Sequence, residues 1–310
     1  MNMKIDKKLI VVLGPTACGK TKMAVKLAAK YGGEIVSADS RQVYCGMDIG
    51  TGKDLVDYQI GRKKIPYYLI DVVKPMTEFN VGKYQKLAYA AIDNILSLGK
   101  RPFLVGGTGL YLDAVTQGYQ FLPNKGKIRN SKFEIRNWRS ILEKWSIEKL
   151  LKNLKTIDPQ TYGVIDRCNR RRVQRALEIY FSTGQLKSEQ LKSPPPYEIL
   201  IIGIKFPLEK IYQRIDSRLE ARIKEGMIKE IKKLRRNGVT WKRLEGFGLE
   251  YRWVARYLQK KINYDELLSG LKNDIHHFAK RQLTWFKRNP DIHWVENFKQ
   301  ADKLVKKFLH

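Results

Sequence analysis

The chain is short of the residues that brace a fold covalently or through metal. Its 310 residues include 3 cysteines, Cys18, Cys45 and Cys168, far apart and without C-x-x-C spacing. That excludes a disulfide framework and a cysteine-ligated zinc site, and it points to a reducing compartment, the cytoplasm. Of the 4 histidines, the adjacent pair His276 and His277 falls on a helical pattern and points about 100° apart, so the two do not pinch one metal. No apolar run approaches the roughly 20 residues of a membrane span, and Met1 to Lys8 is short and charged, so no membrane partner is expected. Acidic residues are also scarce: 31 Asp plus Glu stand against 60 Lys plus Arg, a net charge of +29, with the basic residues spread along the whole length. Such a field suits a polyanion, because each phosphate neutralised releases counterions, although solvated lysine faces would give the same count.

What is present begins at Gly14-Pro15-Thr16-Ala17-Cys18-Gly19-Lys20-Thr21. This complete phosphate-loop pattern stands between the apolar run Leu9 to Leu13 and a helical pattern from Met23. Gly14 and Gly19 let backbone N–H groups turn toward phosphate oxygens, Lys20 adds a point charge, and the Thr21 hydroxyl is placed to ligate Mg²⁺. A nucleotide or another diphosphate is expected here, and the loop alone does not choose between ATPase, kinase and group transferase.

Apolar runs and helical periods alternate through the first 118 residues: strands at 9–13, 34–37, 67–72 and 102–106, and helices at 19–30, 80–97 and 109–116. The expected fold class is α/β, a doubly wound parallel sheet of the P-loop NTPase type. From Gly118 the texture becomes Pro123-Asn124-Lys125-Gly126-Lys127 and then basic, Trp-bearing helical stretches, up to Ser193-Pro194-Pro195-Pro196; the run Ile199 to Ile204 then resumes the sheet. Residues 119–197 are therefore expected to be an inserted helical domain in a core made of 1–118 and 198–310. Leu208, Ile211, Ile215, Leu219, Ile223, Met227, Ile231 and Leu234 mark one long helix, with Arg214, Arg218 and Arg222 in a row beside the apolar stripe.

Two further clusters end strands at the edge where open α/β sheets place ligands. Asp39-Ser40-Arg41-Gln42-Val43-Tyr44 follows the second strand, and from spacing alone Asp39 is as well read as a helix N-cap as a functional carboxylate. Val105-Gly106-Gly107-Thr108-Gly109-Leu110-Tyr111 reads either as a ligand loop or as a tight turn.

The ordered set G-P-T-A-C-G-K-T, D-S-R-Q-V-Y, G-M-D-I-G-T, Y-L-I-D-V, V-G-G-T-G-L-Y, R-V-Q-R-A-L-E-I-Y and A-K-R-Q-L-T-W-F, from about residue 9 to 296, resembles the tRNA dimethylallyltransferase (tRNA isopentenyltransferase) family. The resemblance implies transfer of a dimethylallyl group from dimethylallyl diphosphate to the N6 amine of the adenosine 3′ of the anticodon, with tRNA as partner and Mg²⁺ as cofactor. It implies that the phosphate loop, residues 14–21, holds the leaving diphosphate with Thr21 on the metal and Arg218, or Arg214 in its place, neutralising charge. Asp39 is then the acceptor of the amine proton. Ser40, Arg41, Gln42 and Thr108 contact the target nucleotide and its neighbours, and the inserted domain binds the anticodon stem-loop through Arg171, Arg172, Val173, Gln174 and Arg175. Lys280 and Arg281 face the RNA while Leu283 and Phe286 point inward.

In the same pattern Asp71 is an ordinary motif member with a structural or indirect metal role. The basic stretch after Phe121 and the segment 245–253 depart from the commoner form. The chain ends at His310 without the zinc-finger extension of eukaryotic relatives, so a bacterial-type enzyme is expected; a monomer is expected as well. A P-loop nucleoside or nucleotide kinase and a non-catalytic RNA-binding ATPase module are the alternatives.

Overall fold

The computed structural model describes residues 7–121, 138–189 and 194–310. The segment Pro123 to Lys127, the basic stretch after Phe121 and Ser193 lie outside them.

The chain divides into two compact units, one made of Met1–Thr116 with Pro195–His310 and the other of Gln117–Pro194. The first is built on a parallel sheet of β1 (Lys8–Leu13), β2 (Gly33–Ala38), β5 (Tyr67–Tyr68), β6 (Arg101–Gly106), β7 (Glu198–Ile204) and β8 (His293–Val295), in the order β5-β2-β6-β1-β7-β8. β3 (Gln59–Ile60) and β4 (Lys63–Lys64) make a separate small ribbon. Both faces of the sheet are covered, which is why β1 reads as a continuous apolar run rather than an alternation. Leu9, Val11 and Leu13 pack with α2 (Val81–Ser97) and α3 (Gly109–Thr116), while Ile10 and Val12 pack with α1 (Lys20–Tyr31) and α13 (Phe298–Leu309). Successive strand residues thus enter opposite cores.

A helical layer of α8 (Leu208–Glu225), α9 (Met227–Arg236), α10 (Trp241–Phe247), α11 (Leu249–Leu258) and α12 (Tyr264–Phe286) shares a third core containing Ile211, Ile215, Met227, Ile231, Tyr251 and Leu271. The long helix expected over 208–234 is therefore two helices. Gly226 takes φ 105° and its N–H donates to the Arg222 and Ile223 carbonyls, ending α8 while the apolar period runs on into α9. The strand expected at 67–72 stops at Tyr68 because Leu69 and Asp71 adopt φ 64° and 55°, the left-handed region.

In the second unit α4 (Trp138–Glu143), α5 (Ile147–Ile157), α6 (Pro159–Val164) and α7 (Arg170–Thr183) surround Leu142, Leu150, Leu154, Val173 and Leu177.

Candidate active site

Three loops leave the same edge of three adjacent strands. Leu13 at the end of β1 and Ala38 at the end of β2 both pair with Gly106 at the end of β6. The phosphate loop after Leu13, the turn after Ala38 and the loop after Gly106 therefore rise side by side, with β1 and β2 about 10 Å apart at two strand spacings.

In the phosphate loop Ala17 and Gly19 take φ 62° and 89°, and such turns to the left-handed region aim successive N–H groups into one concavity. α1 follows at once, its N-cap is Gly19, and no side chain among the described residues caps its N-terminus. Its first N–H groups and the positive end of its dipole thus face the loop. Lys20 lies back across the loop, its Nζ donating to the Pro15 carbonyl at 3.2 Å. Cys18 is buried, and burial pushes its thiol up despite the pull of Lys20, so it packs the loop from beneath.

The turn after β2 is organised by Asp39. Its Oδ1 accepts the N–H groups of Arg41 and Gln42 at 2.9 and 3.3 Å, and its Oδ2 takes no hydrogen bond among the described residues. The helix N-cap reading is corrected, since no helix follows β2 directly and Oδ1 instead closes a turn on the next residues, while Oδ2 is left without a partner among the described residues. Thr108 ties this turn to the third loop: its N–H donates to the Ala38 carbonyl at 3.2 Å, and its Oγ1 accepts the Ser40 N–H at 3.1 Å. Two glycines beside Thr108 allow α12 to close in. A Cβ on Gly107 would lie 2.6 Å from Gln282 Nε2, and one on Gly109 would lie 2.4 Å from the Trp285 ring.

The arginine row of α8 is realised, with each member differently engaged. Arg214 donates to the Ala17 carbonyl at 3.3 Å and stacks on Phe206. Arg218 pairs with Asp54 at 2.5 Å, and Arg222 lies 3.7 Å from Glu250. Burial and then the charge of Arg218 pull Arg222 below its ordinary value, Glu250 notwithstanding. Of the two candidates for meeting a diphosphate, Arg214 is the one that touches the phosphate loop.

Several predicted nucleotide contacts are committed inside the protein. Arg41 Nη1 pairs with Glu250 Oε2 at 2.7 Å; burial works against its charge, but Glu250 and Asp39 raise its pKa overall. Gln42 Nε2 donates to the Gly52 and Thr51 carbonyls at 3.1 and 3.4 Å. Asp71 forms an ion pair with the buried Lys53, which also bonds Asp48 and the Tyr44 carbonyl. On α12, Lys280 and Arg281 are exposed, but it is Gln282, not Leu283, that is buried with Phe286.

In the second unit Arg171, Arg172 and Arg175 are exposed along α7, whereas Val173 is fully buried and its side chain offers RNA nothing. Gln174 donates to the Arg139 carbonyl at 3.2 Å, and Arg175 pairs with Glu178 at 2.9 Å. Burial, then the charges of Arg175 and Arg172, lower the pKa of Lys187. Arg170 belongs to the scaffold, since its guanidinium donates to the Glu143 carbonyl at 3.0 Å and to that of Trp145.

Sequence reasoning passed over Glu230, Glu250 and Gln282. Glu230 accepts three consecutive N–H groups, of Asp48, Ile49 and Gly50, at 2.7 to 3.1 Å, together with the Tyr251 hydroxyl at 2.9 Å. For the two glutamates the one available signal is the scarcity of acidic residues in so basic a chain; Gln282 carries none.

Residues 42–289 match the family model described as IPP transferase, and residues 7–73 match that of isopentenyl transferase. A protein of Syntrophus aciditrophicus named tRNA dimethylallyltransferase 1 is 44% identical over 94% of each chain. One of the same name from Geotalea uraniireducens is 42% identical over 96% of this chain and 97% of its own. Among solved structures, the tRNA isopentenylpyrophosphate transferase of Bacillus halodurans superposes with a TM-score of 0.68 at 36% identity, covering 98% of this chain and 96% of that one. A eukaryotic dimethylallyltransferase described as acting on tRNA gives a TM-score of 0.76 at 26% identity, over 98% of this chain and 78% of that one.

Proposed function

The chain belongs to the IPP transferase family and is a tRNA prenyltransferase, and from that premise we propose that it moves the dimethylallyl group of dimethylallyl diphosphate onto N6 of the adenosine 3′ of the anticodon. The relatives support neither a kinase nor a non-catalytic ATPase module.

The observation that carries the detail is the shared pairing of Leu13 and Ala38 with Gly106. It sets an uncapped, N–H-rich phosphate loop beside a turn that presents a free carboxylate oxygen. The diphosphate lies on the loop N–H groups, with Lys20 and Arg214 against its oxygens. The adenine amine attacks the allylic carbon, the carbon–oxygen bond breaks, and its electrons leave with the diphosphate. The amine proton passes to Asp39 Oδ2. Thr108 fixes the turn that aims this carboxylate. Arg218 sits one helical turn along from Arg214 and strengthens the positive field, after exchanging Asp54 for the ligand.

Mg²⁺ is usually bound through one or two protein groups together with substrate phosphates. The Thr21 hydroxyl, in the first turn of α1, fits that role. When bound, the ion neutralises charge on the leaving group. Arg171, Arg172 and Arg175 hold the anticodon stem-loop backbone, with Lys280 and Arg281 as a second basic element. The enzyme acts as a monomer in the cytoplasm, where tRNA is modified. Mass spectrometry of nucleosides from tRNA incubated with the protein, Mg²⁺ and dimethylallyl diphosphate tests the reading. N6-dimethylallyl-adenosine must appear; ATP hydrolysis without it would overturn the assignment.

A further inference from the structure

Gln282 on α12 bonds both to the phosphate loop and to the loop after β6. It is 7% exposed. Its Oε1 accepts the Thr16 N–H at 2.9 Å, and its Nε2 donates to the Gly107 carbonyl at 2.7 Å. The partners fix the amide's orientation, because an N–H can only donate and a carbonyl can only accept. Gly107 leaves no room for a Cβ in front of Nε2, so the close approach is built into the loop. Two residues further along, Gly109 is wedged against Trp285, whose Nε1 donates to Asp113 at 2.8 Å. Thr108, between the two glycines, is the residue bonded to the Asp39 turn.

We infer that Gln282 is a positioning residue that sets the spacing between the donor half and the acceptor half of the site, and that transfer depends on its being able to donate and accept at once. The inference rests on the reading of the phosphate loop as the donor site. Both amide atoms are engaged by backbone groups of the protein. It joins the backbone N–H side of the diphosphate cradle to the loop that orients Asp39 through Thr108. A misplacement of about 1 Å between reacting groups can cost about 10²-fold in rate.

The test uses the full-length Gln282→Ala and Gln282→Glu variants, assayed beside wild type with tRNA and dimethylallyl diphosphate. The alanine variant is expected to lose about 10- to 100-fold in kcat, while the dissociation constant of tRNA without donor stays within about threefold. Glutamate keeps the acceptor for Thr16 but sets a carboxylate oxygen against the Gly107 carbonyl, and it can donate only when protonated. Its activity relative to wild type is therefore expected to climb as pH falls from about 8 to about 5.5, helped by the buried site raising the carboxyl pKa above its ordinary value of about 4.3. Wild-type kcat in the alanine variant, or a glutamate-to-wild-type ratio flat across pH, would overturn the inference. If the alanine variant fails to fold, the glutamate pH ratio decides alone. Absence of transfer by wild type itself strikes the proposed function instead, so the two failures are distinguishable.

Discussion

Arg41 Nη1 and Glu250 Oε2 are joined at 2.7 Å in a pair whose side chains are 17% and 5% exposed. This pair pins the turn bearing Asp39 to the start of α11, and Arg222 approaches the second oxygen of the same carboxylate. A residue that motif reasoning assigns to RNA is thus held by the protein, and its loss first strikes the geometry of the turn.

Removing Glu250 should therefore be costly. Glu250→Ala leaves Arg41 and Arg222 partly buried without their shared counter-ion, and breaking such a pair from one side costs about 3–5 kcal/mol. Chemical denaturation is expected to show that loss, with Glu250→Gln in between. An unchanged denaturation midpoint would show that water compensates both arginines.

For Asp39, the two oxygens separate structure from chemistry. Asp39→Asn keeps an acceptor for the Arg41 and Gln42 N–H groups yet removes the carboxylate proposed to take the amine proton, so the fold should persist while turnover falls by about 10²-fold or more. Filter binding is expected to find tRNA affinity within a few-fold of wild type. Near-normal turnover would remove Asp39 from the chemistry.

At the donor side, Lys20→Ala and Thr21→Ala should weaken use of dimethylallyl diphosphate, and Thr21→Ala should also shift the Mg²⁺ dependence, with RNA binding largely intact. Steady-state kinetics at varied donor and Mg²⁺ check this. Loss of tRNA affinity alone in both variants would place the donor elsewhere.

Replacing Arg171, Arg172 and Arg175 together by Ala should raise the tRNA dissociation constant and flatten its salt dependence by roughly one unit of slope for each phosphate no longer neutralised. Donor binding measured without RNA should not move. Val173→Ala, by contrast, removes volume from a buried core and should lower stability by about 1–3 kcal/mol without altering the salt slope. An unaltered slope in the triple variant would send the search for the RNA track to Lys280 and Arg281.

The cysteines give a pH-resolved check on the phosphate loop. Burial holds the Cys18 thiol above its ordinary pKa, so its thiolate is depleted at every pH up to that raised value, and alkylation in the folded state should be slower than at the exposed Cys168. Peptide mapping after iodoacetamide at pH 8 should find Cys168 modified first. Early modification of Cys18 would mean that the loop opens readily.

The strands β1, β2 and β6 and the loops they launch could be read from the chain because buried parallel strands are near-continuous apolar runs and the phosphate loop has its own glycine, lysine and threonine spacing. The end of β5 could not, because the left-handed turns at Leu69 and Asp71 carry no glycine to signal them and the ion-pair partner of Asp71, Lys53, lies 18 residues upstream. Gly226 was hidden inside an unbroken apolar period. Val173 looked like part of an RNA surface because basic neighbours surround it in sequence, while helical geometry turns it inward. Gln282 was hardest to see: a polar residue between Arg281 and Leu283 reads as surface, and only the folded chain shows that its two amide atoms answer two backbone groups from distant loops.

On the proposed reading, the uncapped start of α1 ties conformational stability to the supply of its ligand. A ligand that binds only the folded chain adds about 2.7 kcal/mol at a concentration one hundred times its dissociation constant. A diphosphate bound as proposed would complete the first turn of a helix, so thermal resistance would then rise with the concentration of the allylic donor. A cell starved of the allylic donor would hold the same polypeptide in a softer, more protease-sensitive form.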